Sequence, residues 1–281
     1  MKIEAKIIAD SISTAGKRIT TMQLCYPRFI HSEFMTHRMF SRNAMSSRAV
    51  PVAKMIEQVR SNPAMPIHWG TNQPGMQASA ELSNEMDARL GTSPRQYVKT
   101  LWEHVAEDAA NIAERMAQLG AHKQIVNRIL EPFQWMHTVV TATEWDNFFE
   151  LRCHADAQPE IHALACAMHA AMKESIPTTR FDFVWHLPYV ADEERERIAI
   201  DDLRKISAAR CARVSYLKHD GAAPNIEDDL KLFERLAGGK PIHASPLEHQ
   251  AVPLPKATDR SRNFCGWLQF REMYENKGKI T

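Results

Sequence analysis

Apolar and β-branched residues are interleaved with polar ones through Lys2–Ser13 and again through Lys17–Pro27, on either side of a Thr14–Gly16 break. That pattern predicts a pair of strands. Pro27–Phe40 reads as helical. Pro51 suits a first helical position, and Val52, Met55, Ile56 and Val59 follow at helical spacing. Proline, glycine and asparagine make Ser61–Gly75 a loop. The strongest helix signal begins at Ser93–Pro94, a cap followed by a helix-opening proline. Its apolar stripe is Tyr97, Val98, Leu101, Trp102, Val105, Ile112, Met116 and Leu119, and Gly120 ends it. A shorter helix over His122–Leu130 stops at Glu131–Pro132, and Met136–Thr143 reads as a strand. Thr143–Asp146 resembles a capping box opening the next helix. Pro159 opens another, with Ile161, Leu164, Ala165, Met168 and Met172 on one side.

The last third predicts a short helix near Asp201–Ile206 and a strand over Ala212–Leu217. A helix capped at Asn225 and closed by Gly238–Gly239 follows, and then a helical start at Ser245–Pro246 with Glu248 in its first turn. The charged run Val190–Arg197 reads as a solvated face, and it sets a possible seam near 190–200 between an N-terminal and a C-terminal part of one domain spanning 1–281. Ser41-Arg42-Asn43 returns as Ser261-Arg262-Asn263, an echo too short to establish a duplication.

Composition narrows the function. Of 281 residues, 44% are hydrophobic and 25% charged, the profile of a folded soluble protein. A formal net charge of +1 argues against a chain whose main business is coating nucleic acid, so any anion binding must be local. No apolar run is long enough to span a bilayer and the N-terminus lacks the apolar core of a signal peptide, which makes the expected location cytoplasmic. Cys25, Cys153, Cys166, Cys211 and Cys265 are scattered without a CxxC pair, so they form neither a disulfide framework nor a zinc module and read as buried free thiols.

Candidate chemistry gathers in three places. Phe34–Pro51 crowds His37, Arg38, Arg42 and Arg48 among Ser41, Asn43, Ser46 and Ser47. Arginine forks and hydroxyls match phosphate oxygens, so the stretch reads either as a loop for a phosphorylated ligand or as a solvated basic turn. His243–His249 holds His243, Glu248 and His249, but the spacing is not HExxH and Pro246 breaks the register of a zinc helix, so no metal is expected. His243 would then sit just before a helix with its ring free for a ligand. Phe149–His162 brings Arg152 to the end of one helix and Gln158, Glu160 and His162 to the start of the next, where ion pairing across a corner is the plain alternative.

Together these motifs resemble one family, the flavin-dependent thymidylate synthases. Its signature is an Arg-His-Arg triplet, then seven residues, a serine and an arginine two further on. Thr36-His37-Arg38, Ser46 and Arg48 match it in all but the first position. A His-x-Thr/Ser-Pro-x-Glu-His element is matched by His243, Ser245, Pro246, Glu248 and His249. An "AARVSF" element resembles Cys211–Tyr216, "ARIVLP" resembles Asn127–Pro132, and a leucine–arginine followed by "AQxEIR" resembles Leu151-Arg152 and Ala157–His162. In the family the "ARVS" and "HxSPxEH" elements precede the triplet, whereas here they follow it. A circular permutation or a decayed duplication would explain that order, and the reading requires Ser215, His243–His249 and His37–Arg48 to converge in the fold or across an oligomer interface.

The resemblance implies an α+β fold, a mostly antiparallel sheet flanked by helices. It implies methylation of dUMP to dTMP with FAD as cofactor and NADPH and methylenetetrahydrofolate as co-substrates, in a homotetramer with shared sites. By position, Glu33, Ser46, Ser47, Arg48, Arg128 and His162 would meet the substrate, with Arg48 and Arg128 at its phosphate and Arg48 and His162 as the catalytic pair. His37, Arg38, Arg152, Ser215, Ser245 and Glu248 would meet the flavin, with His243 where folate stacks. The reduced flavin relays the carbon unit, which fits cysteines without an activated partner. The chain departs from the pattern at Thr36 and Ala44, and Glu33 stands where the family has a glutamine, Asp156 where it has a histidine and His162 where it has an arginine. Carboxylates near the base would accept from an exocyclic amine, which opens dCMP or a hydroxymethyl product as an alternative. The losses at Thr36 and Ala44 open a second one, a nucleotide-binding homologue without turnover.

Overall fold

The computed structural model describes residues 2–214 and 225–276. β1 (Glu4–Ser13) and β2 (Arg18–Pro27) pair antiparallel, with a bulge between Ile7 and Ala9. Gly16 takes φ +82 in the connecting turn, a conformation that glycine adopts without a Cβ penalty. The helix expected over Pro27–Phe40 is mostly absent. A 3₁₀ turn at Arg28–Ile30 and one short helix, α1 (His31–Phe34), are followed by irregular chain leading into β3 (Ser41–Ala44). Arg42 makes that path possible: its Nη1 donates to the carbonyls of Met35 (2.9 Å) and His37 (3.1 Å), satisfying groups that a continued helix would have used internally.

Next come α2 (Val52–Ser61), the loop leading from it, α3 (Pro94–Gln118), α4 (Lys123–Val126) and β4 (Trp135–Ala142). Ser93 caps α3 by accepting from the Gln96 amide, and with 25 residues α3 is the longest helix among the described residues. Its buried face is not the expected stripe. Ala106, Ala110 and Ala113 are buried, with Trp102 and Met116 packed beside them, while Tyr97, Leu101, Val105, Ile112 and Leu119 face outward. Small residues let α3 lie close to its neighbours and leave an apolar row exposed. α5 (Asp146–Arg152) and α6 (Pro159–Glu174) follow, then β5 (Thr178–Arg180). Thr143 does not cap α5; its hydroxyl accepts from the Cys265 amide at 2.9 Å.

The sheet order is β3-β4-β2-β1-β5, with only the β1–β5 pair parallel. Both of its faces are covered. Met22, Leu24 and Tyr26 of β2 and Met136, Val140 and Ala142 of β4 join Ile161, Leu164 and Met168 of α6 in the larger core. The alternate positions point the other way: Ile19 packs with Ala251, Phe264 and Trp267, and Val139 packs with Cys211 and Val214. A central strand buried on both faces loses the simple apolar–polar alternation.

The later chain contributes α7 (Asp192–Arg197), α8 (Ile200–Arg213), α9 (Ile226–Ala237), a 3₁₀ turn at Ser245–Glu248, β6 (Ala251–Pro253), β7 (Arg260–Ser261), β8 (Phe264–Cys265), β9 (Trp267–Gln269) and α10 (Phe270–Asn276). Trp185, Leu187, Leu203, Leu232, Phe233 and Phe270 form a second core. The expectations for this part are met in part. Asp201–Ile206 belongs to a longer helix, and the stretch expected as a strand from Ala212 begins inside α8, its remainder from Ser215 lying outside the described residues. Nor is 190–197 merely solvated, because Glu194 pairs with Arg210 at 2.6 Å and Arg195 donates to the Trp185 and Leu187 carbonyls.

Candidate active site

The basic stretch is fixed by a buried amide. Asn127, at the end of α4, donates through Nδ2 to the carbonyls of Ser47 (2.6 Å) and Val50 (3.0 Å), pinning the turn that carries Ser46, Ser47 and Arg48. This brings Ser47 and Arg128 to a common acceptor. Glu131 Oε1 accepts from Ser47 Oγ (3.1 Å), Arg128 Nη1 (3.1 Å) and Arg28 Nη2 (2.9 Å). Arg38 and Arg48 are exposed and make no hydrogen bond or ion pair with the described residues. Arg28 and Glu131 were not legible as site residues; the first lay in an expected helix and the second read only as a helix stop.

A second group lies close by. Arg152, at the end of α5, donates from Nε to His37 Nε2 at 3.1 Å and approaches Glu33 at 3.8 Å. The acceptor role of His37 Nε2 places its remaining proton on Nδ1. Its ring stands edge-on to Phe148 with centroids 4.8 Å apart, and burial, with Arg152 and Arg42 nearby, lowers its pKa to about 4. It is neutral at physiological pH. Beneath it, His31 Nδ1 and Tyr26 Oη are 2.9 Å apart, and burial with Arg28 and Arg42 brings His31 to about 4.

Beside Arg152 opens a cavity of about 1160 Å³ whose lining includes Glu33, Arg152, Asp156, Gln158, Glu160 and His162. Phe29 and Trp102 supply apolar surface, and Ile67, His68, Met76 and Gln77 of the loop after α2 complete it. Glu160 is not a free ligand for a substrate. It is buried, accepts the Ile67 amide at 2.7 Å and is hydrogen-bonded to Gln158, so it ties that loop to α6. Gln77 Nε2 reaches the Asp156 carbonyl at 3.1 Å, and Trp102 Nε1 holds the Ala64 carbonyl at 3.0 Å. His162 lies within the lining with its Nε2 3.7 Å from Cys166 Sγ.

The late motif packs against the same sheet. Gln269 Nε2 donates to the Glu248 carbonyl and to Ser41 Oγ, each at 3.3 Å, and Asn263 Nδ2 donates to Ser41 Oγ at 3.0 Å. The two Ser-Arg-Asn echoes therefore touch. Pro246 and Leu247 are buried as anchors, while His243 and Ser245 are exposed and Glu248 pairs with Arg271. His249 is wholly buried; its Nδ1 lies 2.8 Å from Thr141 Oγ1, and burial lowers its pKa to about 3. Ser215 lies outside the described residues. Among the described residues, no cluster of histidine, cysteine or acidic side chains could hold a metal ion.

The sequence profile of the family described as "Thymidylate synthase complementing protein" matches residues 14–178, more than half of the chain. The chain belongs to this family. The matched span runs from the β1–β2 turn to the start of β5, so it holds the basic stretch and the cavity residues, whereas His243–His249 lies beyond it. Among curated protein sequences none matches the chain significantly. One solved structure that it resembles is the UMP/dUMP methylase PolB from Streptomyces cacaoi, crystallised with 5-Br dUMP. That match has 19% identity and a TM-score of 0.46, and covers 62% of this chain and 90% of the other.

Proposed function

We propose that this member of the thymidylate synthase complementing protein family modifies carbon 5 of dUMP, methylating it to dTMP with FAD as cofactor, NADPH as reductant and methylenetetrahydrofolate as carbon donor. The observation that carries the reading is the cavity in which Glu33, Arg152 and His162 meet, brought from α1, α5 and α6. Its mixed lining, with aromatic walls and a few convergent polar groups, is what an orienting site for a flat heterocycle needs.

In this reading the phosphate lies toward Ser46, Ser47, Arg48 and Arg128, and the base enters the cavity. The donor set also suits a dinucleotide. Arg38 has its guanidinium exposed, Ser245 and His243 are exposed, and His37 is a neutral ring with Arg152 fixed to it. These residues, with Arg152 and Glu248, would hold FAD; Ser215 is assigned there by its motif alone. When bound, the flavin supplies hydride transfer and carriage of the one-carbon unit. The protein's own part is positioning: Arg152 is braced by Glu33 and His37, and His162 presents an imidazole to the cavity where the family has a guanidinium.

A second reading shares the site. Glu33 and Asp156 line the cavity, and carboxylates accept from an exocyclic amine, which favours dCMP or a hydroxymethylated product. Assembly as a homotetramer is supported by the outward apolar row of α3 (Leu101, Val105, Ile112 and Leu119). No helix among the described residues is long and apolar enough to cross a membrane, and we place the enzyme in the cytoplasm. The test is NADPH oxidation by the yellow holoprotein: stimulation by dUMP supports the first reading and stimulation by dCMP the second. Nucleotide binding without flavin reoxidation would indicate a homologue without turnover.

A further inference from the structure

Glu131 lies between two of the donors assigned to the phosphate, Ser47 and Arg128. One of its oxygens accepts from Ser47, Arg28 and Arg128, and it is one-quarter exposed, so solvent reaches it. The group around it is built to hold an anion. Arg28 is mostly buried, and its Nη1 is buried without a hydrogen-bond partner among the described residues. Asn127 fixes the Ser47 turn from below, and Lys123 Nζ donates to the Ala49 carbonyl at 3.2 Å. A buried arginine nitrogen with no acceptor is an unmade charge-assisted bond, and an anion with more oxygens than a carboxylate would complete it.

We propose that the Glu131 carboxylate stands in for the substrate's phosphate, keeping Arg28, Arg128 and Ser47 in place until a phosphate monoester displaces it. The inference rests on the reading of this site as one for a nucleoside monophosphate. Its consequence is selectivity. A monoester carries nearly two negative charges and three acceptor oxygens at neutral pH, enough to outbid one carboxylate and to fill Arg28 Nη1. A nucleoside brings no such competitor and leaves Glu131 where it is. Glu131 thus acts as a specificity determinant that weakens binding of every anion and leaves the dianion preferred.

The test is calorimetric titration of the full-length protein and of its Glu131→Gln variant with dUMP, deoxyuridine and inorganic phosphate. Glutamine keeps an acceptor oxygen for the three donors but removes the charge. The variant should bind dUMP and phosphate about tenfold more tightly or better, since a like charge beside the phosphate is gone, and deoxyuridine no differently. Glu131→Ala should move in the same direction. Should either variant prove unstable, inorganic phosphate should restore its melting temperature toward that of the parent. Phosphate and dUMP bound no better by both variants, with no rescue of melting, would overturn the inference and make Glu131 a structural clamp. Tighter phosphate binding with no gain for dUMP would keep the inference and remove the nucleotide reading instead.

Discussion

At the scale of single residues, side chains of the same kind have divided their roles. Arg42 closes a turn, Arg28 and Arg128 meet a carboxylate, Arg152 braces His37, and Arg38 and Arg48 remain exposed. Sequence shows that cations are crowded between Phe34 and Pro51, but it does not show which will be consumed by backbone carbonyls. That is decided by where the chain abandons its helix after Phe34. The free guanidinium of Arg48, on the turn pinned by Asn127, is the one to remove. Arg48→Ala should weaken dUMP binding by about tenfold or more, the scale of one lost charge-assisted contact, while flavin retention changes little. Paired titrations of nucleotide and flavin would show the difference, and equal losses of both would contradict the assignment.

At the scale of elements, strands and long helices were legible and their partnerships were not. The β1–β2 hairpin, the strand around Trp135–Ala142 and the helices opened by Pro94 and Pro159 follow from β-branched runs and proline-marked starts. The burial of α3 departs from the expected stripe, because alanines rather than the larger residues face the core. The hydroxyl face of β2 and β4 also gave no signal, since threonine there serves a buried relay. Ser11 Oγ, His186, Thr21 Oγ1, Thr141 Oγ1 and His249 Nδ1 form a chain with successive distances of 3.0, 2.8, 2.7 and 2.8 Å. All of these residues are buried, and the chain joins the sheet to the later part of the protein. Thr141→Val keeps the shape and removes the central hydroxyl, leaving Thr21 and His249 without it. Denaturant unfolding should show a loss of about 1–3 kcal/mol, and an unchanged midpoint would mean that the relay adds no stability.

At the scale of the whole molecule, the sheet carries helices on one face and the late segment on the other, so motifs two hundred residues apart meet in one chain. Two buried histidines, His186 and His249, and two half-buried ones, His31 and His37, give this assembly a pH dependence. His31 and His37 are lowered to about 4, His249 to about 3, and burial, with Arg180 and Arg195 nearby, takes His186 well below its ordinary 6.5. Unfolded, each would bind a proton near pH 6.5, so the unfolded state gains protons first as pH falls. Stability from these groups is full above about 6.5 and declines from there toward 4, with a slope of about 1.4 kcal/mol per pH unit for each wholly buried ring. A melting temperature constant between pH 7 and pH 4.5 would contradict this. The central claim, that a pyrimidine monophosphate is altered at carbon 5 with its base among Glu33, Arg152 and His162, is tested most directly by one turnover of the flavin-loaded protein, reduced beforehand with NADPH, with methylenetetrahydrofolate and either dUMP or dCMP, followed by mass analysis of the nucleotide. The account predicts a product heavier by one methylene unit; recovery of both dUMP and dCMP unaltered would contradict it.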